Sequence, residues 1–239
     1  MKTNDIKFNF KNKIVVVVGG SKGIGLEVVR QFILAGATTY CVSRTNPKIK
    51  GCYFIKCDIS DENSINESFR SVKDIDFLIN VAGTNLCRSI EDVNSSEWDR
   101  VLNTNLKSFY LISQKVIGIM KSKKFGRIVN VSSIAGRNKS LVSGVHYTSS
   151  KYGIIGLTKQ LSNEVSKYNI LVNCTCPSQT MTEMLRESMT RDQIKALSDN
   201  IPVRRVATVE EQVAPILFLC SSGASYIAGA AIDINGGQL

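Results

Sequence analysis

Residues 12–18, Asn-Lys-Ile-Val-Val-Val-Val, run straight into Gly19-Gly20-Ser21-Lys22-Gly23-Ile24-Gly25. Four consecutive valines leave no polar face for solvent. Such a run fits a parallel strand inside a sheet that is covered on both sides. Directly after the glycines the apolar spacing becomes helical, through Leu26, Val28, Val29 and Phe32, and Gly36 closes that helix. A strand feeding a helix through a glycine loop is the first half of a βαβ unit, and it sets the grammar for the rest of the chain.

The alternation continues to the end. Strands are predicted at 38–43, 52–57, 75–81, 127–131, 170–175 and 231–234. Helices are predicted after Asp58-Ile59-Ser60-Asp61, where Ser60 or Asp61 is the cap, and over 97–121, 146–168 and 208–220, the last kinked at Pro215. Strands alternating with helices mean an α/β fold: a doubly wound, seven-stranded parallel sheet with helices on both faces. No linker or repeat interrupts it, so one domain over 1–239 is expected, with a cofactor half at about 1–125 and a catalytic and substrate half at about 126–239. One crossover is short. Only eight residues separate Ser43 from Cys52, room for an extended loop but not for the usual helix.

The glycine loop sits where a dinucleotide site needs it. Gly19 permits a tight turn, Gly23 and Gly25 let backbone approach a pyrophosphate, and the helix N-terminus offers free N–H groups and a positive dipole end. The end of the second strand then selects the cofactor. An acid there would bind the adenosine 2′-hydroxyl of NAD, but this chain has Ser43-Arg44, with Lys22 in the glycine loop. Two cations and no carboxylate suit a 2′-phosphate, which favours NADP(H) over NAD(H).

Further on, Tyr147 and Lys151 stand four residues apart in the predicted 146–168 helix, on one face. An ammonium beside a phenol stabilises phenolate and is expected to lower the tyrosine pKa toward the range of neutral acid–base exchange. By itself a Tyr-x-x-x-Lys pair is common. The remaining composition mostly excludes. No apolar run reaches membrane-span length, and residues 1–7 hold no apolar signal segment. The seven cysteines and the single histidine, His146, show no metal spacing, so no metal is expected. They read as reduced thiols of a cytoplasmic protein. The formal net charge is +10, with a tight cluster at Lys121, Lys123, Lys124 and Arg127. That cluster is either a solvated surface or a site for an anionic partner; no nucleic-acid motif accompanies it.

In this order the motifs resemble the classical short-chain dehydrogenase/reductase family over almost the whole length. Gly19, Gly23, Ile24 and Gly25 match its cofactor loop, Asp58 its adenine contact, and Asn80-Val81-Ala82-Gly83 the segment after its fourth strand. Asn105, Ser133, Tyr147 and Lys151 match its catalytic asparagine, serine, tyrosine and lysine; Ser132 is the alternative serine. The resemblance implies a Rossmann-fold domain. It implies cofactor contacts at Gly19, Ser21, Lys22, Gly23, Ile24, Gly25, Ser43, Arg44, Asp58, Ile59, Asn80, Ala82, Gly83, Tyr147, Lys151, Pro177, Thr180 and Thr182. In that scheme Tyr147 donates the proton, Ser133 holds the carbonyl oxygen, Lys151 lowers the phenol pKa and holds the nicotinamide ribose, and Asn105 supports a water relay. The departures are Val18 for the family's threonine, Ser178 for its glycine, and one extra residue between Ser133 and Tyr147.

Within the family the pattern is similar to the 3-oxoacyl-carrier-protein reductases, through Ile201-Pro202-Val203-Arg204-Arg205 and Tyr226-Ile227-Ala228-Gly229. This implies reduction of a 3-oxoacyl thioester, with an acidic acyl carrier protein as partner; Lys124 falls at one basic docking position, while the second falls at Tyr168, next to Lys167. The alternatives are another alcohol or ketone, such as a sugar, polyketide or cyclohexadienediol intermediate, or an idle dinucleotide-binding protein. A homotetramer or homodimer is expected by the same resemblance. Met181, Met184, Leu185, Met189 and Leu197 mark 178–200 as a helical lid or as ordinary packing.

Overall fold

A computed structural model describes residues 6–140 and 143–239; the polar N-terminal stretch read for a signal lies, at 1–5, outside the described residues. Seven parallel strands form one sheet: β1 (Ile14–Val18), β2 (Thr38–Ser43), β3 (Cys52–Lys56), β4 (Phe77–Asn80), β5 (Gly126–Val131), β6 (Ile170–Pro177) and β7 (Ala231–Ile234). Their order is β3-β2-β1-β4-β5-β6-β7. The expected doubly wound sheet is present.

Side-chain alternation along each strand feeds two separate cores. Val15 and Val17, with Phe77, Ile79, Val129 and Val131, pack against α1 (Gly23–Leu34) and α8 (Val209–Cys220). Val16 and Val18, with Leu78, Ile128, Ile170 and Val172, pack against α2 (Glu62–Phe69), α4 (Ser108–Lys123) and the end of α5 (Val145–Val165). Three short helices complete the set: α3 (Ser95–Leu102), α6 (Glu183–Ser188) and α7 (Arg191–Asp199). Asp61, of the two expected caps, accepts the Asn63 N–H and starts α2. Helix α8 continues through Pro215.

Two local features differ from the sequence reading or sharpen it. The predicted 97–121 helix is two helices, α3 and α4, joined by a π turn at Asn103–Lys107. The β2–β3 crossover is a helix-free loop, as its length requires, reversed with Lys48 and Gly51 at positive φ.

Strand order reverses between β1 and β4, so the loops after these strands open a crevice at their carboxyl ends. The crevice floor is tightly built. Val81 and Ala82 both donate to the Val18 carbonyl at 3.0 Å, and Gly19 donates to Val42 at 2.8 Å. Gly19 has φ +89°, and a methyl there would sit 2.6 Å from the backbone N and Cα of Ala82. Backbone cannot step aside as a flexible side chain can. Gly19→Ala is therefore expected to destabilise the protein by about 2 kcal/mol or more. A denaturant titration beside wild type checks this; an unchanged midpoint would contradict it.

Candidate active site

The β1–α1 turn leaves its helix end open. Lys22 is the N-cap in extended conformation, contributes no side-chain cap, and no acid lies in the first turn of α1. The N–H groups there and the dipole end are free for an anion. A side chain at Gly25 would collide with the Gly19 carbonyl, which presses the helix start against the turn. Ser21 and Ile24 line the same loop. Thr182 reaches over it: a methyl on Gly23 would sit 3.4 Å from Thr182 Cγ2. The sequence-distant end of β6 is thus brought to the glycine loop.

At the β2 end, Ser43 donates to the Thr45 carbonyl at 2.7 Å, while Arg44 points into solvent with no ion pair among the described residues. Asp58 stands nearby. Two hydrogen bonds from Ser60 hold its carboxyl below the usual range, and Arg44 adds to the effect. Lys22 and Arg44 are both exposed. Uncapped helix, glycine cradle and two free cations together fit a phosphorylated dinucleotide.

Two side chains expected at the cofactor make internal hydrogen bonds. Asn80 is wholly buried and donates to Asn130 Oδ1 at 2.9 Å, and Asn130 in turn donates to Thr158. Thr180 is buried and donates to the Ser178 carbonyl at 2.9 Å. Ile59 packs with the α2–α4 core, and Pro177 ends β6 in a buried position. Ala82 and Gly83 remain on the crevice wall.

The other half of the crevice gathers the four catalytic candidates. Ser133 follows β5, caps a short 3₁₀ turn by accepting the Ala135 N–H at 3.1 Å, and lies beside the Tyr147 phenol. The alternative, Ser132, is excluded by its position: its buried hydroxyl donates to the Lys151 carbonyl at 2.8 Å. Lys151 is buried beneath Tyr147, with Nζ 5.5 Å from the ring centre and 2.9 Å from the Val131 carbonyl that accepts its proton. Asn105 lies in the π turn, a feature common at functional sites. Its Oδ1 accepts the Thr84 N–H at 2.8 Å, and its Nδ2 donates to Thr84 O and to Ser150 Oγ. Thr84 and Ser150 are supporting residues that the sequence offers no distinct signal for. A methyl on Gly83 would lie 3.6 Å from both Asn105 Oδ1 and Lys151 Nζ, so glycine keeps open the space that these two groups border.

The electrostatics differ from the simple pair picture. Burial dominates at Tyr147 and pushes the phenol above its ordinary range; the Ser133 hydrogen bond opposes this. Burial also lowers Lys151 to about 8, with Cys176 and Cys174 opposing. The expected lowering of the phenol by Lys151 is therefore reversed in the free protein, because burial is the largest influence on both groups. At neutral pH Tyr147 holds its proton firmly, which is the state a general acid needs.

The lysine result has a thermodynamic consequence. Between about 8 and 10.5 the unfolded chain keeps a proton on Lys151 that the folded chain has lost, so this group's effect on stability improves as pH rises through that window. Below it, the buried ammonium costs up to about 3 kcal/mol. Lys151→Met should raise the thermal midpoint of the cofactor-free protein at pH near 7, with the gain shrinking toward pH 10. Melting curves across pH check both halves, and a lowered midpoint at neutral pH would contradict the account.

Several features bound the chemistry further. All seven cysteines are free; Cys87 is exposed and Cys52 partly so. No group of His, Cys, Asp or Glu among the described residues is arranged to hold a metal ion. No helix is long and apolar enough to cross a membrane among the described residues.

Comparison with known proteins agrees with this geometry. The family model described as short chain dehydrogenase matches residues 13–193. The 3-oxoacyl-[acyl-carrier-protein] reductase MabA of Mycobacterium tuberculosis is 30% identical over 240 residues, covering 99% of this chain and 96% of MabA. Among solved structures, a short chain dehydrogenase from Leptospira borgpetersenii with bound NAD+ superimposes with a TM-score of 0.89 at 30% identity, covering 96% of this chain and 94% of that one. The ligand-free aldohexose dehydrogenase of Thermoplasma acidophilum gives 0.90 at 26% identity, covering 95% and 94%.

Proposed function

Because the chain belongs to the short-chain dehydrogenase family and is an NAD(P)-dependent oxidoreductase acting on CH–OH and C=O groups, we propose that it is an NADPH-dependent reductase of 3-oxoacyl thioesters. One observation carries this reading: Tyr147 stands over the buried Lys151, whose Nζ is 5.5 Å from its ring centre and bonded to the Val131 carbonyl, with Ser133 beside the phenol. Gly19, Ser21, Lys22, Gly23, Ile24 and Gly25 would hold the dinucleotide phosphates, and Arg44 its 2′-phosphate. Ser43, Asp58 and Ile59 flank the adenosine, while Ala82, Gly83, Lys151, Pro177 and Thr182 flank the nicotinamide half. Bound there, the dinucleotide supplies the hydride. Ser133 donates a hydrogen bond to the substrate carbonyl oxygen, and Tyr147 gives it a proton as charge develops. Lys151 and Asn105 lie behind the phenol. Lys151 can return the proton, and Asn105, pinned to Thr84 and Ser150, fixes the wall along which water would reach the lysine.

Thioester reduction is supported by the MabA similarity, and the carrier protein by the basic cluster. Lys121 and Lys167 stack on Tyr168 at 4.7 and 5.4 Å, and Asn169 ties the Lys124 carbonyl to them. This cluster lies at the starts of β5 and β6, roughly 20 Å from the crevice, one strand length away. Helices α4 and α5 expose Tyr110 and Tyr152, and nothing packs within 4 Å of a methyl placed on Gly118 or Gly156. Those open helix faces support a homodimer or homotetramer. The free thiols support a reducing, cytoplasmic setting. A second reading, oxidation or reduction of a sugar or another small alcohol, is favoured by the likeness to the aldohexose dehydrogenase.

A substrate panel with NADPH and NADH side by side decides between them. Acetoacetyl thioester turnover is expected, faster with NADPH, and lost by about a hundredfold or more in Tyr147→Phe. Turnover confined to aldoses would establish the second reading. A Tyr147→Phe protein with full turnover would remove the catalytic assignment.

A further inference from the structure

We infer that His146, the chain's single histidine, is the positioning residue that seats Tyr147. The inference rests on the reading of Tyr147 as the acid. Helix α5 begins after Gly144, which has no side chain and supplies no cap. Tyr147 is the third residue of the helix, where an N-cap side chain normally takes the orphan N–H. Here the preceding residue takes it instead: the Tyr147 N–H donates to His146 Nδ1 at 2.9 Å. That bond makes Nδ1 an acceptor and leaves the imidazole proton on Nε2.

The Nε2 proton has a partner. Nε2 lies 3.4 Å from Glu97 Oε1 on α3, and Arg88 Nε lies 3.3 Å from the same oxygen. The ring is wholly buried and Glu97 nearly so, whereas Arg88 is half exposed. Arg88 comes from the loop after β4, which forms the crevice wall beside Thr84. The relay Arg88–Glu97–His146 thus fixes the ring's tautomer and orientation, and the ring fixes the tyrosine's backbone. Gly144 is part of the device. A methyl there would lie 2.5 Å from His146 Cε1, 2.9 Å from Nδ1 and 3.0 Å from the Leu86 carbonyl. Only glycine lets the ring fold back over the helix start.

Substitution of His146 separates positioning from packing. His146→Asn places an amide oxygen near the Nδ1 position and keeps an acceptor for the Tyr147 N–H. His146→Gln reaches only the Nε2 position, and His146→Leu offers no acceptor. With acetoacetyl thioester and NADPH, His146→Asn should keep most of the wild-type kcat. The Gln and Leu variants should lose about tenfold or more in kcat, with KM for NADPH unchanged. Cofactor titration and thermal melts on the same samples report folding; if His146→Leu does not fold, the Asn–Gln pair carries the comparison. Wild-type kcat in His146→Gln or His146→Leu would overturn the inference, as would equal losses in all three. Tyr147→Phe in the same assay keeps the two readings apart. Full turnover there sinks the acid assignment, whereas an inactive Tyr147→Phe beside a fully active His146→Gln sinks only the role of His146.

Discussion

The contact between Lys151 Nζ and the Val131 carbonyl organises the catalytic half of this protein. It joins the end of the central strand β5 to the helix that carries Tyr147. A buried ammonium is expensive, and one hydrogen bond to a carbonyl offsets only part of the cost. The surroundings help to keep it in place: the Ser132 hydroxyl holds the lysine's own carbonyl, and Gly83 lies against its ammonium. The strain of holding that charge appears as the depressed lysine pKa. The same dense surroundings hold the phenol protonated.

The sheet explains why these groups meet. Parallel strands place all their carboxyl ends on one edge, and the order reversal between β1 and β4 opens that edge. The glycine loop follows β1, the Gly83–Thr84 wall follows β4, Ser133 follows β5 and Thr182 follows β6. Contacts between residues more than twenty positions apart, such as Asn105 with Thr84 and Ser150, then lock these loops to one another. The basic cluster lies at the opposite edge for the same topological reason.

Much of this was legible in the sequence because its signals are local. The Val15–Val18 run, the Gly19–Gly25 loop and the short Ser43–Cys52 connection each determine backbone conformation within a few residues. What escaped depends on burial and on distant partners. The pairing of the Asn80 amide with Asn130 across the sheet is one such feature, which only the strand register reveals. The sign of the Tyr147 shift is not legible in sequence, because spacing shows that Lys151 is near but not that both groups are desolvated. The π turn at Asn103–Lys107 leaves no mark in an amphipathic pattern that runs through it. His146 had a signal, a lone histidine beside the tyrosine, but its meaning needed Gly144, Glu97 and Arg88 in space.

The central claim is that burial, rather than the neighbouring ammonium, sets the proton state of the free site. Carbon-13 labelling of tyrosine Cζ, with the Tyr147 resonance assigned by its loss in Tyr147→Phe, measures this directly in the cofactor-free protein. The account predicts that Tyr147 ionises above the ordinary phenol value of about 10. Ionisation of Tyr147 well below that value, toward neutrality, would contradict it.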